Sequence, residues 1–247
     1  MKILVCISHV PDTTTKIQFA EDGSALNNDG VTFVINPYCE YGLSKALDMK
    51  EGGVKVDQIT VCCVGGPEVE PTLRKALAIG ATDAVRINAQ PTDSAFVASQ
   101  LASYAENKEF DLIFTGKESI DFNGSMVPGM LAEHLGFNFV SFATKMDMTG
   151  DDTATLEREI DGGVEVIDIN LPAVISCQKG ISEWRIPNMR GIMAARKKAF
   201  SVVSASDAQP SANTVKFAYP PAKEACQYYE VDNTAQLVKD LAGKGII

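Results

Sequence analysis

The chain has 247 residues, 45% apolar and 22% charged, with a formal net charge of −10 at pH 7. That balance suits a soluble globular protein with a sizeable core, built as one large domain or as a domain with an arm. The acidic balance argues against nucleic acid as the main partner. No run approaches the roughly 18 apolar residues of a membrane span, so membrane insertion is not expected.

MKILVCISHVPDT opens with a short apolar run broken by Pro and Asp. A secretory leader has a longer apolar region and a small-residue cleavage site. The run reads as a first strand, and a cytoplasmic location is expected. VTFVI reads as a second short extended run. In NPYCEYGLSKALDMKEGG, Asn36 can cap a helix, Pro37 fits its first position, and Gly52 and Gly53 end it. QITVCCV is a continuous apolar strand, as a sheet covered on both faces requires. EPTLRKALAIG predicts a helix stopped at Gly80, and AVRIN a strand. DSAFVASQLASYAEN has apolar residues at helical spacing, with Thr92 or Asp93 as cap. FDLIFTG predicts a strand and SMVPGMLAEHLG a helix closed by Gly136. Strands alternating with helices of this length imply βαβ units, so the fold expected is α/β, a Rossmann-like and mostly parallel sheet.

After residue 137 the chain turns strand-rich: FNFVSFATKMDM, ATLEREI, GVEVIDINL and AVISCQ, with a hairpin at Asp161-Gly162-Gly163. NMRGIMAARKKAF reads as helical and then basic; its Arg190, Arg196, Lys197 and Lys198 suit a helix end or a contact to an acidic partner. Residues 204–223 are rich in Ser, Pro, Ala and Asn and read as an arm; NTAQLVKDLAGKGI is an amphipathic helix capped by Asn233 or Thr234. The division expected is an α/β domain over 1–203 and an arm with a terminal helix over 204–247.

Little here supports catalysis. Cys6, Cys62, Cys63 and Cys177 lie in strand-like runs and read as packed thiols, and no CxxC occurs. His9 and His134 are far apart with no cysteine at ligand spacing, so no metal is expected. No GxSxG is present. The stretch GKESIDFNGSMVPGMLAEHLG, residues 116–136, is more informative. It leaves a strand at the carboxyl edge of a parallel sheet, where such folds bind ligands. It offers backbone N–H groups at a helix N-terminus, with Gly124 allowing close approach and Ser125 adding a hydroxyl. It is neither GxGxxG nor GxxxxGK[ST], and local pattern alone leaves phosphate binding and a plain capped helix both open.

Several blocks together carry a resemblance. KILVCISHVPDT, VINPYCEYGLSKAL, TLRKALAIGA, residues 116–136, EREIDGGVEVIDINLPAVIS and IPNMRGIMAARKK occur in the order seen in electron transfer flavoprotein beta subunits. The similarity spans about residues 1–200, and it implies that 1–203 is a nucleotide-binding domain and that the arm and helix over 204–247 dock on a partner alpha subunit. It implies a heterodimer with an alpha subunit, FAD held mainly by that partner, and a structural AMP in the beta subunit; electron-bifurcating members carry a second FAD there instead. It also implies electrons arriving from acyl-CoA or related dehydrogenases in fatty acid oxidation, electrons leaving to a quinone oxidoreductase, and no catalytic residues on this chain. Carried over by position, the nucleotide pocket would involve Cys6, the turn Asn36, Pro37, Tyr38 and Cys39, then Val64 and Gly65, with phosphate at Asp121, Asn123, Gly124, Ser125, Met126 and Val127. Asp12 and Thr13 would approach the alpha subunit's flavin. The 121–127 loop is shorter than in many members and lacks their Thr and Gln phosphate donors, so the amides of Gly124, Ser125 and Met126 are the donors expected. In QKGISEWRIPNMRG, Ile181 matches an exposed aliphatic anchor that docks the dehydrogenase, flanked by Glu183, Trp184 and Arg185. Two other classes suit the fold: a stress-protein-like ATP-binding module and an ATP-pyrophosphatase. The latter needs an SGGxDS-type loop where this chain has SHVPDT.

Overall fold

The computed structural model describes residues 1–223 and 225–247. The chain begins with β1 (Lys2–Cys6), β2 (His9–Pro11), β3 (Phe33–Ile35), α1 (Pro37–Glu51), β4 (Gln58–Val64) and α2 (Glu70–Ile79). It continues with β5 (Asp83–Asn88), α3 (Ser94–Ala105), β6 (Leu112–Gly116), α4 (Val127–Leu135) and β7 (Asn138–Met148). The last elements are β8 (Thr153–Ile160), β9 (Gly163–Asn170), β10 (Ala173–Cys177), α5 (Met189–Ala195), β11 (Phe200–Ser204) and α6 (Thr234–Gly243).

One mixed sheet of nine strands, ordered β11-β5-β4-β1-β6-β10-β7-β8-β9, forms the centre. The strands from β11 to β7 run parallel, and β8 and β9 continue as antiparallel hairpins. The parallel strands are apolar on both faces because helices cover both. On one face Leu43 and Leu47 of α1 and Leu73 and Leu77 of α2 pack with Ile3, Val5, Ile59 and Val61. On the other, Ala98 and Leu101 of α3 and Leu131 of α4 pack with Leu4, Cys62, Val85 and Ile113. After β1 the chain builds outward through β4 and β5, then returns to place β6 on β1's other side. That reversal opens a crevice at the carboxyl ends of β1 and β6, where doubly wound sheets take ligands.

The run ending in Phe33–Ile35, expected to be extended, is a strand, but it pairs antiparallel with His9–Pro11 as a separate ribbon outside the main sheet. After the basic run, Phe200–Ser204 form an edge strand parallel to β5 that the sequence did not signal. Lys198, one of the basic residues, donates to the carbonyls of Leu77 (2.8 Å) and Ala81 (2.6 Å) at the end of α2, where a helix C-terminus favours a cation.

The first half of the arm lies on its own chain. Ser206 exchanges hydrogen bonds with the Gln100 side chain (2.7 and 3.3 Å). Phe217 donates its amide to the Gly23 carbonyl at 2.8 Å and stacks on Phe19. Helix α6 buries none of its residues.

Candidate functional site

A cavity of about 920 Å³ fills the crevice. β1 delivers Cys6 and then Ser8 and His9, β4 delivers Val64, and β6 delivers Thr115 and Gly116. Helices α2, α3 and α4 all begin at its rim, through Thr72, Ser94 and Val127. Proline in the first turn of α2 and α4 sets the helical φ where the missing N–H costs nothing. Three helix N-termini therefore bring partial positive charge to the rim of one space.

The wall below α4 is held by Asn36. It occupies the N-cap position of α1, yet its side chain makes no capping bond. Fully buried, it crosses to the loop after β6: Nδ2 donates to the Glu118 carbonyl (2.7 Å) and to Cys39 Sγ (3.1 Å), and Oδ1 accepts from the Ile120 amide (3.2 Å). Gly116 makes this close approach possible. A Cβ there would lie 2.8 Å from Asn36 Nδ2 and 3.0 Å from the Cys39 amide.

The loop itself is tied back by Glu118, which accepts from the Ser125 hydroxyl (3.0 Å) and pairs with Lys117 (3.2 Å). Burial raises the affinity of Glu118 for a proton. The hydrogen bonds from Lys117, Ser125 and Asn123 outweigh it and keep the carboxyl below the usual range. Asn123 and Ser125 are left-handed, with φ of 50° and 52°. Between them Gly124 leaves its backbone open: the nearest atom to a Cβ there would be Ser94 Oγ at 3.6 Å.

At the other end His9 Nδ1 hydrogen-bonds Thr72 Oγ1 (2.7 Å) and the ring stacks on Phe33 at 4.4 Å. Burial lowers its pKa against the opposing pull of Glu68 and Asp121, so the imidazole is neutral at pH 7. Burial also pushes up the thiols of Cys6, Cys39 and Cys63, the last to about 12, so none is a thiolate nucleophile. Among the described residues, no group of His, Cys, Asp and Glu is placed to hold a metal.

The described lining contains Glu68, Asp93, Glu118 and Asp121 but no Lys or Arg. A small anionic group entering here would meet amides and hydroxyls rather than cations, beside apolar walls of Val64, Val97, Leu101 and Pro128.

The profile of the electron transfer flavoprotein domain matches residues 24–208. The electron transfer flavoprotein subunit beta of Bacillus subtilis is 37% identical, over 91% of this chain and 90% of its own. The subunit of the same name from Syntrophomonas wolfei is 36% identical, over 91% of this chain and 88% of its own. That of Mus musculus is 32% identical, over 100% and 99%. The chain belongs to the electron transfer flavoprotein beta-subunit family.

For this family member the expected pocket residues divide into three groups. Cys6, Cys39, Val64, Asp121, Gly124, Ser125, Met126 and Val127 line the cavity. Asn36, Pro37, Tyr38, Gly65 and Asn123 are not in its lining but lie close in sequence to residues that are. Tyr38 lies under Lys117 Nζ at 4.8 Å from the ring centre, and Gly65 donates to the Ile87 carbonyl at 3.0 Å. Asp12 and Thr13 are not part of the cavity lining; Asp12 Oδ1 accepts from the Thr14 amide and hydroxyl (2.9 and 2.6 Å). Sequence reasoning missed Ser8, His9, Thr72 and the segment Gln90–Ser94. The Pro-Thr-Asp-Ser run after β5 could have been found, because it too starts a helix at the sheet's carboxyl edge.

The expected exposed anchor is not Ile181. That side chain is 5% exposed and joins the core beside α1. Its loop is pinned to α1 by Arg185, which pairs with Asp48 and, at 2.8 Å, with Glu51. What the loop exposes is Trp184 (55%) and Ile186 (74%). The cause is chain direction: leaving β10, the loop first turns inward to cover the sheet and only then outward.

Among the described residues no helix is long and apolar enough to cross a membrane.

Proposed function

We propose that this chain is the beta subunit of a heterodimeric electron transfer flavoprotein. It receives electrons from acyl-CoA-type dehydrogenases and passes them toward a quinone oxidoreductase, with the redox FAD held mainly by the alpha subunit and shared through the loop at Asp12 and Thr13. The chain itself is a non-catalytic carrier subunit of a cytoplasmic complex. Its cleft holds a structural AMP. The observation that carries this reading is the cavity of about 920 Å³ at the β1–β6 crevice in a member of this family, ringed by three helix N-termini.

The residues fit a nucleoside monophosphate. The apolar strand ends, with Cys6 and Val64, suit a flat base. The exposed backbone at Gly124 and the start of α4 suit a phosphate that finds no basic side chain. AMP supplies no redox chemistry; bound, it fills a cleft that would otherwise leave amides and apolar walls in water. The acidic lining disfavours longer phosphate chains, which gather more negative charge beside Glu118 and Asp121. The exposed Trp184 and Ile186, on a loop braced by Arg185, form the dehydrogenase-docking surface, with Glu183 at its rim and Ile181 beneath as its root.

The test is to co-purify the chain with its alpha subunit, denature the complex, and count nucleotides by chromatography. One FAD and one AMP per heterodimer is the expected result. Two FAD and no AMP would overturn the assignment of the cleft and make the complex a bifurcating one. A colourless protein needing no partner would place the chain among ATP-binding modules.

A further inference from the structure

We propose that arm residues Ser211–Thr214 form a lid over the cleft and that Asp93 is the positioning residue that holds it shut. The proposal rests on the reading of the cleft as a nucleotide site. Ala212, Asn213 and Thr214 belong to the cavity wall although they lie more than 70 residues beyond its other walls. Of the remaining walls, the strand ends and helix starts cannot part without opening the core, and the loop after β6 is tied back by Asn36 and Glu118. The arm is irregular and exposed here, so it is the wall that can move at low cost.

Asp93 divides its carboxylate between two tasks. Oδ1 accepts from the Phe96 amide (2.7 Å) and caps α3. Oδ2 accepts from the amides of Ser211 and Ala212, both at 2.6 Å. Upstream the arm is anchored by Gln100 to Ser206, and downstream by Gly23 and Phe19 to Phe217. Between those anchors, among the described residues, the hydrogen bonds from the arm to the body run to Asp93 alone. The cap fixes the carboxylate, so the second oxygen stands ready for the arm without further ordering. With these bonds made, Ala212–Thr214 close the cavity; with them broken, the span between Ser206 and Phe217 is long enough to swing aside and admit or release a ligand.

The test uses the heterodimer loaded with isotope-labelled AMP and chased with unlabelled AMP. Asp93→Asn keeps an acceptor for the Phe96 amide but removes the second carboxylate oxygen. Ala212→Pro removes one donor from the other side. Two hydrogen bonds to a carboxylate, discounted for exposure, correspond to about tenfold faster release in Asp93→Asn. Ala212→Pro also speeds release, and the double variant releases no faster than Asp93→Asn, because both changes act on one latch. Parental release rates in both single variants, or effects that multiply in the double variant, overturn the proposal. If the complex holds no AMP, the reading of the cleft fails, and the latch is read from amide hydrogen exchange over 205–219. Loss of protection at Ser211 and Ala212 in Asp93→Asn then supports the latch, and unchanged protection sinks it.

Discussion

Replacing Asn36 separates two roles that its sequence position confuses. As a helix cap, Asn36 would tolerate serine, because Ser and Asn cap about equally well. In the structure its amide spans to Glu118 and Ile120 instead, a distance serine cannot cover. Either Asn36→Ser or Asn36→Ala orphans the Glu118 carbonyl and the Ile120 amide. Each lost partner costs about 1–3 kcal/mol when buried. Both groups are only partly buried, so the low end applies to each, and with the lost packing of the side chain the total is about 2–4 kcal/mol. For a domain of this size that corresponds to a fall of roughly 5–15 °C in Tm. The assay is thermal unfolding of the heterodimer by circular dichroism, with both variants beside the parent. The expected result is that serine costs nearly as much as alanine. If Asn36→Ser melts within about 1 °C of the parent, a shift smaller than one lost hydrogen bond, the strut argument is wrong and the residue is a cap.

The loop after β10 predicts a contrast. Ile181→Ala should cost about 2–4 kcal/mol because the side chain is buried. Trp184→Ala and Ile186→Ala should leave Tm unchanged and slow flavin reduction by the dehydrogenase about tenfold or more; parental stopped-flow rates in both would remove this surface from docking. His9 predicts a pH dependence. Burial lowers its pKa from the ordinary 6.5, so below pH 6.5 the unfolded chain binds more protons than the folded one at this site. Stability from this site is therefore complete above pH 6.5 and falls as the pH drops from 6.5 through the lowered value. The parent should lose Tm relative to His9→Gln across that range, and parallel curves would show that His9 is not the source.

Much of the fold was legible because the parallel strands and their helices repeat strong signals: apolar runs, proline at helix starts, glycine at helix ends. What stayed illegible depended on partners distant in sequence. Phe200–Ser204 reads as the tail of a basic segment until β5 is known to lie beside it. Phe33–Ile35 has strand composition, but only the layout of the sheet decides that it pairs with His9–Pro11. At the site, the loop after β6 is readable as a cavity wall because its small and polar residues, Gly124 and Ser125 among them, follow a buried strand. Asn36 reads as a cap and as part of a pocket wall; its role as a strut is hidden because Glu118 and Ile120 lie more than 80 residues away. Ile181 was read as exposed because an aliphatic residue among charged neighbours looks the same whether it turns inward or outward. The arm's place over the cleft had no signal in its own composition; it is fixed by an aspartate that sequence alone explains fully as the cap of α3.

The insertion of β10 between β6 and β7 sets the order in which the sheet can be completed. β7, β8 and β9 form a hairpin meander that emerges from the ribosome as a contiguous unit. It has no strand-to-strand bond to the parallel half until Ala173–Cys177 are made. During synthesis the growing chain therefore carries two partial sheets, each with an open edge, which one five-residue strand later joins. A pause in synthesis after β9 has left the ribosome and before β10 has would prolong exposure of both edges, making that interval the one at which chaperone capture matters most.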